Sequence, residues 1–219
     1  MEDITSLYTT RFNYFERVKK KALWRVLCQD FLQQFIKKGE TVVDVGAGSC
    51  EFINNISCKR KIAVDQSLGI LKQAKRNVEK KIGSTKYPLR ALKGEKVDVF
   101  FVSNFLEHLE GKEDVFRFLR ETYLLLKAGG RLLVMQPDIG RVGEAYWDFF
   151  DHKTPITLKS LIEVLMAVGY KIAYVRDPFL PYSTKTVRFP LWPTLLKVYL
   201  RVRPLQVIFG KQFFLVAEK

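Results

Sequence analysis

From Phe15 to Lys38, apolar residues fall at 15, 18, 22 and 26 and again at 23, 27, 31 and 35. This three-to-four spacing predicts a helix with one buried face. Gly39 then supplies a stop. The pattern next changes to short β-branched runs. Thr41-Val42-Val43-Asp44-Val45 ends at Gly46-Ala47-Gly48, and Lys61-Ile62-Ala63-Val64-Asp65 repeats the form of a strand closed by an acid. Val97–Ser103 and Arg131–Gln136 are nearly unbroken apolar runs, as strands of a parallel sheet covered on both faces require. Helices are expected over 51–57, 68–78 and 114–126. Another is expected over 158–168, with Thr157 as its cap and Gly169 as its stop. Lys171–Val175 and Gln212–Ala217 read as two closing strands. The third strand is poorly marked between Val78 and Ala91. Strands alternating with helices predict an α/β fold.

With 219 residues, 47% of them hydrophobic, the chain can form one sizeable core, and a single domain over 1–219 is expected. It would carry an N-terminal helical segment, 1–38, and a basic insertion, 177–211, between the last two strands. That insertion holds five prolines around a helical stretch, 193–202. A substrate lid or dimer contact is expected of it, ahead of a piece lying on a membrane. The formal charge of +14 is concentrated. Cys58–Lys96 carries twelve Lys and Arg against three acids, and Arg176–Lys211 seven against one. Such fields suit an acidic substrate, a membrane surface or nucleic acid, or simply a solvated surface. No apolar run is long enough to span a bilayer, the first residues lack the form of a signal peptide, and three cysteines share no metal-like spacing. A cytoplasmic protein, monomeric or homodimeric, is the expectation.

The turn at Gly46-Ala47-Gly48 is where a ligand can approach the backbone. About 20 residues on, Asp65 stands where nucleotide-binding α/β domains place a ribose-binding acid. A dinucleotide fingerprint needs a third small residue, and Glu51 occupies that place. Asp44 would also repel a pyrophosphate but suits a sulfonium ligand with an ammonium group. S-adenosylmethionine is therefore preferred over a nicotinamide dinucleotide.

Together, the Asp44-to-Gly48 loop, Asp65, the Asn104-to-His108 segment and the Lys127-Ala128-Gly129-Gly130 turn resemble the class I S-adenosylmethionine-dependent methyltransferases. The resemblance spans roughly residues 40 to 175. It implies a doubly wound, mostly parallel seven-stranded sheet with helices on both faces and an antiparallel edge. It also implies that the Gly46, Ala47 and Gly48 backbone lies along the methionine part of the cofactor, that Asp65 receives the ribose hydroxyls, and that Asn104 and Phe105 face the amino acid end. Gln66 joins the cofactor set. Ser84 or Thr85 stands where many members hold the adenine with an acid, and Cys50 replaces a third glycine. N-terminal segments of related enzymes fold over the cofactor, a role open to Tyr8–Phe12.

Methyl transfer is an in-line displacement, and a hydroxyl acceptor benefits from a base. The two histidines, His108 and His152, both fall at the carboxyl edge of the expected sheet. His152 can be a base or an anchor, and His108 more naturally holds its loop. Glu107 is read as ordering that loop. Asp138, Tyr146 and Asp148 could line the acceptor pocket, and Tyr182 and Lys185 could close it. No metal site is expected. The Asn-Pro-Pro-Tyr signature and the Pro-Cys pair of base-modifying methyltransferases are absent. The expected function is O-methyl transfer to a small or lipid-linked acceptor, a glycan or secondary metabolite. The alternatives are an RNA-directed methyltransferase, with basic stretches on phosphates, and a non-catalytic member acting through protein partners.

Overall fold

The structure is a computed structural model and describes residues 14–182 and 193–219. Seven strands form one sheet: β1 (Thr41–Val45), β2 (Arg60–Asp65), β3 (Glu79–Ile82), β4 (Val97–Ser103), β5 (Leu126–Pro137), β6 (Lys171–Arg176) and β7 (Gln212–Glu218). Their order is β3-β2-β1-β4-β5-β7-β6. Strands β1 to β5 run parallel to one another, whereas β7 runs antiparallel to both β5 and β6. The sheet is therefore mixed, with the antiparallel edge expected from the resemblance.

The α-helices of the described residues are α1 (Tyr14–Asp30), α2 (Glu51–Asn55), α3 (Leu68–Leu71), α4 (Lys112–Leu125), α5 (Ile139–Val142), α6 (Leu158–Val168), α7 (Pro193–Arg201) and α8 (Arg203–Phe209). Alternate residues of the central strands feed two cores. On one face Val42, Val99 and Phe101 pack beneath α1, α2 and α7. On the other, Val43, Phe100 and Val102 pack beneath α4 and α6. Phe101 stacks on Phe52 of α2 with centroids 3.6 Å apart, which seats the short helix after the glycine loop. Burying each such ring contributes about 1.5–3 kcal/mol.

Most strands and α6 lie close to their expected spans, but β5 starts at Leu126, five residues before the expected Arg131. Thr157 and Ser160 form a capping box on α6, and Gly169 ends it at φ 112°. Elsewhere tertiary contacts override periodicity. The first helix stops at Asp30, because Phe31 turns in to sit 4.6 Å from the Phe179 ring and 5.1 Å from Phe214. A single 3₁₀ turn, Leu32–Phe35, follows. The helix expected over 68–78 shrinks to α3. Asn54 accepts from the Lys75 amide at 2.8 Å and donates to the Gln73 carbonyl at 3.0 Å, taking backbone groups that a longer helix would have used. The weakly marked third strand is the edge strand β3, whose side chains Glu79, Lys80 and Ile82 are exposed. A surface edge has no need of an apolar run.

Between β6 and β7, α7 buries Leu196 and Leu200 in the core beneath α1, and Lys197 lies 3.7 Å from Asp30. No helix among the described residues is long and apolar enough to cross a membrane. Tyr8–Phe12 and Lys185 lie outside the described residues.

Candidate active site

The strand order reverses between β1 and β4, and a crevice opens there beyond the carboxyl ends of the strands, as open α/β sheets dictate. It has a volume of about 880 Å³. This is near the upper end for small-molecule sites, enough for two ligands side by side. Helix α1 roofs it with Lys20 and Trp24.

The loop after β1 forms the floor. Gly46 and Gly48 have φ of +66° and +49°. A Cβ at Gly46 would lie 2.6 Å from Phe105 Cδ2, so that position excludes any other residue. Cys50 is left-handed too, at φ 59°, and fully buried; burial pushes its thiol up to about 12, so it is no nucleophile at neutral pH.

Asp44 and Asp65 flank this loop. Asp65 accepts from the Gly48 amide at 3.1 Å and the Ser67 amide at 3.0 Å. Burial raises its pKa and these amides oppose the rise. Its carboxylate is thus oriented by backbone groups at the strand end. Asp44 is only 3% exposed, and its Oδ2 accepts no hydrogen bond. Burial, followed by the charges of Asp65 and Glu51, pushes its pKa well above the usual carboxylate range. A buried carboxyl oxygen without a donor beside an open cavity is a place for a cationic group.

Beyond β2, Gln66 and Ser84 line the same cavity. Thr85 donates to Gln66 Oε1 at 2.8 Å, and Ser84 Oγ accepts the Tyr87 amide at 3.1 Å. Beyond β4, Asn104 adopts φ 49°, with its amide on the Met135 carbonyl at 3.0 Å. Phe105 follows against Gly46. Every residue expected in the cofactor set therefore borders one cavity.

Beyond β4 and β5, the cavity meets Glu107, His108 and His152. The two imidazoles lie edge to face with centroids 5.2 Å apart. His152 Nε2 is 3.9 Å from Glu107 Oε1, and His108 Nδ1 is 3.0 Å from the Asp151 carbonyl. Glu107 is fully buried; its Oε2 accepts from Gln136 at 2.7 Å, while Oε1 accepts no hydrogen bond. Burial lowers the His152 pKa, with Glu107 opposing, so the ring is neutral at pH 7. Glu107 also orders the loop, its carbonyl accepting the Lys153 and Thr154 amides.

Two expected acceptor-pocket residues do other work. Asp138 caps α5 and accepts from the Gly140 and Leu158 amides at 2.8 and 3.0 Å. Tyr146 is fully buried, donates to the Thr154 carbonyl at 2.6 Å, and borders the cavity no more than Asp148 does. Tyr182 does border it. Conversely, Lys20, Trp24 and the buried Glu107 at the acceptor end were not expected there. Periodicity placed the first two on a helix but could not say what that helix covers.

The family model of the methyltransferase domain matches residues 43–134, the stretch that builds the glycine loop, both acids and the Asn104-to-His108 turn. The chain thus carries a methyltransferase domain over these residues. Its fold is shared with an S-adenosylmethionine-dependent methyltransferase from Archaeoglobus fulgidus, at TM-score 0.67 and 19% identity over 94% of this chain and all of that one. An S-adenosylmethionine-dependent methyltransferase from Thermotoga maritima aligns at TM-score 0.65 and 18% identity, covering 99% and 100% of the two chains. A methyltransferase from Haloferax volcanii, solved in complex with the Trm112 methyltransferase activator, aligns at 0.65 and 17%, covering 92% of each. No curated protein sequence matches the chain. S-adenosylmethionine is the methyltransferase's cofactor, and the pocket suits it. The unpartnered Asp44 Oδ2 fits an ammonium, and the amide-held Asp65 fits a diol.

Proposed function

We propose that this methyltransferase acts on a hydroxyl of a small or lipid-linked acceptor, a glycan or secondary metabolite, at the His108–His152 end of the cavity. One observation carries the reading. The sheet order β2-β1-β4-β5 strings Asp65, the Gly46–Gly48 loop, Asn104 and the histidine pair along one edge. Cofactor groups and proton acceptors thus border one cavity.

The roles follow that order. Asp65 and Gln66 hold the ribose, with Ser84 near the adenine. The Gly46–Gly48 backbone lies along the methionine chain, and Asp44, Asn104 and Phe105 face its amino acid end. The cofactor supplies a methyl group already activated by a sulfonium. The protein's task is then to bring the acceptor oxygen into line and remove its proton. His152 is neutral and borders the cavity, which suits a proton acceptor; His108 is held by Asp151 beside it.

The test is a titration with S-adenosylmethionine, S-adenosylhomocysteine and NAD, followed by an acceptor screen with product mass spectrometry. Binding of both sulfur ligands but not NAD, with methyl ethers as products, is expected. Methylation confined to nitrogen or carbon would overturn the acceptor class. A second reading rests on Tyr87, whose ring lies beneath Arg90 at 4.0 Å and Arg117 at 4.7 Å, with Lys86 at 5.7 Å. This cationic stack suits a nucleic acid. Salt-sensitive RNA binding lost in Tyr87→Ala would favour it.

A further inference from the structure

We propose that Glu107, His108 and His152 form a binding site for a divalent cation, with Mn²⁺ or Zn²⁺ preferred to Mg²⁺. One donor atom from each of the three lies within 4.8 Å of the other two, and all three residues face the cavity.

Hydrogen bonding fixes one imidazole of the cluster. The Asp151 carbonyl can only accept, so His108 Nδ1, 3.0 Å away, carries the hydrogen, and Nε2 keeps its lone pair. On His152, Nδ1 has no hydrogen-bond partner among the described residues, and Nε2 lies 3.9 Å from Glu107 Oε1. Glu107 is fully buried, and its Oε1 lacks a donor. A buried carboxylate oxygen without a donor beside two imidazoles is costly as it stands, and a cation among them satisfies it.

The surrounding contacts have the form that metal ligands require. Metal-bound histidines give their other ring N–H to a carbonyl or carboxylate, and ligating carboxylates are themselves hydrogen-bonded. His108 has the Asp151 carbonyl, with the Asp151 carboxylate also 3.4 Å from the same nitrogen. Glu107 Oε2 is held by Gln136 Nε2 at 2.7 Å. Two nitrogens and one oxygen suit Mn²⁺ or Zn²⁺ better than Mg²⁺, which favours an all-oxygen shell. Three protein ligands also leave positions open toward the cavity, the arrangement of a catalytic rather than a structural site.

The cation's catalytic role rests on the hydroxyl-acceptor reading; the site itself rests on geometry alone. An acceptor hydroxyl bound at an open position would lose its proton to solvent water more readily. Its oxygen then forms a bond to the methyl carbon as the carbon–sulfur bond breaks and the sulfonium becomes a neutral thioether. The histidines would act as ligands rather than as bases.

The test uses untagged, chelator-treated full-length protein titrated with Mn²⁺ and, separately, Zn²⁺. One saturable site per chain is expected, with spin-echo spectra of the Mn²⁺ form showing imidazole nitrogen couplings. His152→Ala and Glu107→Gln should each weaken binding by at least about tenfold while retaining S-adenosylmethionine affinity. The spectrum needs no variant, so it decides the matter even if a variant misfolds. Absence of saturable binding, absence of nitrogen coupling, or undiminished binding in a folded His152→Ala would overturn the site. Metal binding without transfer to any hydroxyl acceptor would instead sink the acceptor reading. Transfer undiminished by chelation would remove the cation from catalysis.

Discussion

Replacing Asp44 by Asn separates the two demands on this carboxyl. In the protein without cofactor, Asp44 is 3% exposed, one oxygen has no donor, and Asp65 and Glu51 add like charge. An unsatisfied buried polar group costs about 1–3 kcal/mol, more if charged. Asn keeps the shape and removes the charge, so the variant should be more stable by about 1–3 kcal/mol near neutral pH. For a chain of this size that is a rise in Tm of about 2–12 °C. The pH dependence has a definite sign. The folded pKa lies above the ordinary 3.8, so the folded chain binds more protons than the unfolded one. Wild-type stability from this group is complete below 3.8 and is lost as pH rises through the folded value. The variant's advantage should therefore grow from pH 5 to pH 7.5. Cofactor binding should move the other way. Loss of a charge-assisted contact to the ammonium costs about 1.5–3 kcal/mol, or roughly 10- to 150-fold in Kd. Thermal melts at both pH values and calorimetric titration with S-adenosylmethionine measure the two halves. A variant no more stable than wild type would refute the buried-charge argument, and a Kd within about threefold would refute the ammonium contact.

Four further outcomes are expected. Asp65→Ala should weaken cofactor binding by roughly 10- to 100-fold, measured by titration, because it also frees the Gly48 and Ser67 amides that the carboxylate now holds. Gly46→Ala should lower Tm and cofactor affinity together, since its Cβ meets Phe105 at 2.6 Å in a left-handed backbone; normal values for both would contradict the close approach. Tyr146→Phe should lower stability by about 1–3 kcal/mol in urea melts, by orphaning the Thr154 carbonyl, yet leave turnover within a few-fold. The His152 pKa lies below its ordinary 6.5, so the stability it contributes is complete above that value and is lost as pH falls through the folded value. The urea midpoint of wild type should accordingly fall relative to His152→Gln on acidification from about pH 7 to about pH 5, and parallel curves would refute the burial argument.

Much of this architecture is visible in local patterns. Buried parallel strands are apolar throughout, so β1, β2 and β4 stand out, and their terminal acids and glycines follow from where a ligand must reach the backbone. Helix α6 is legible because its cap and stop are local hydrogen-bond chemistry. Pattern misleads where a distant partner decides. Asn54 cuts α3 short, and Phe31 ends α1 by joining an aromatic cluster built from β6, β7 and the following loop. Asp138 and Tyr146 had the right position for a pocket, but their polar atoms are claimed by α5, α6 and Thr154.

The sequence alone determined the fold class and the nature of the cofactor, because glycine conformations and strand-end acids are properties of contiguous residues. Only the tertiary structure decided what surrounds His152. Its partner Glu107 is 45 positions earlier on a different loop, and no periodicity links them. Packing β4 beside β5 brings those loops together. Burial in that contact lowers the His152 pKa and sets the loop-ordering glutamate beside it.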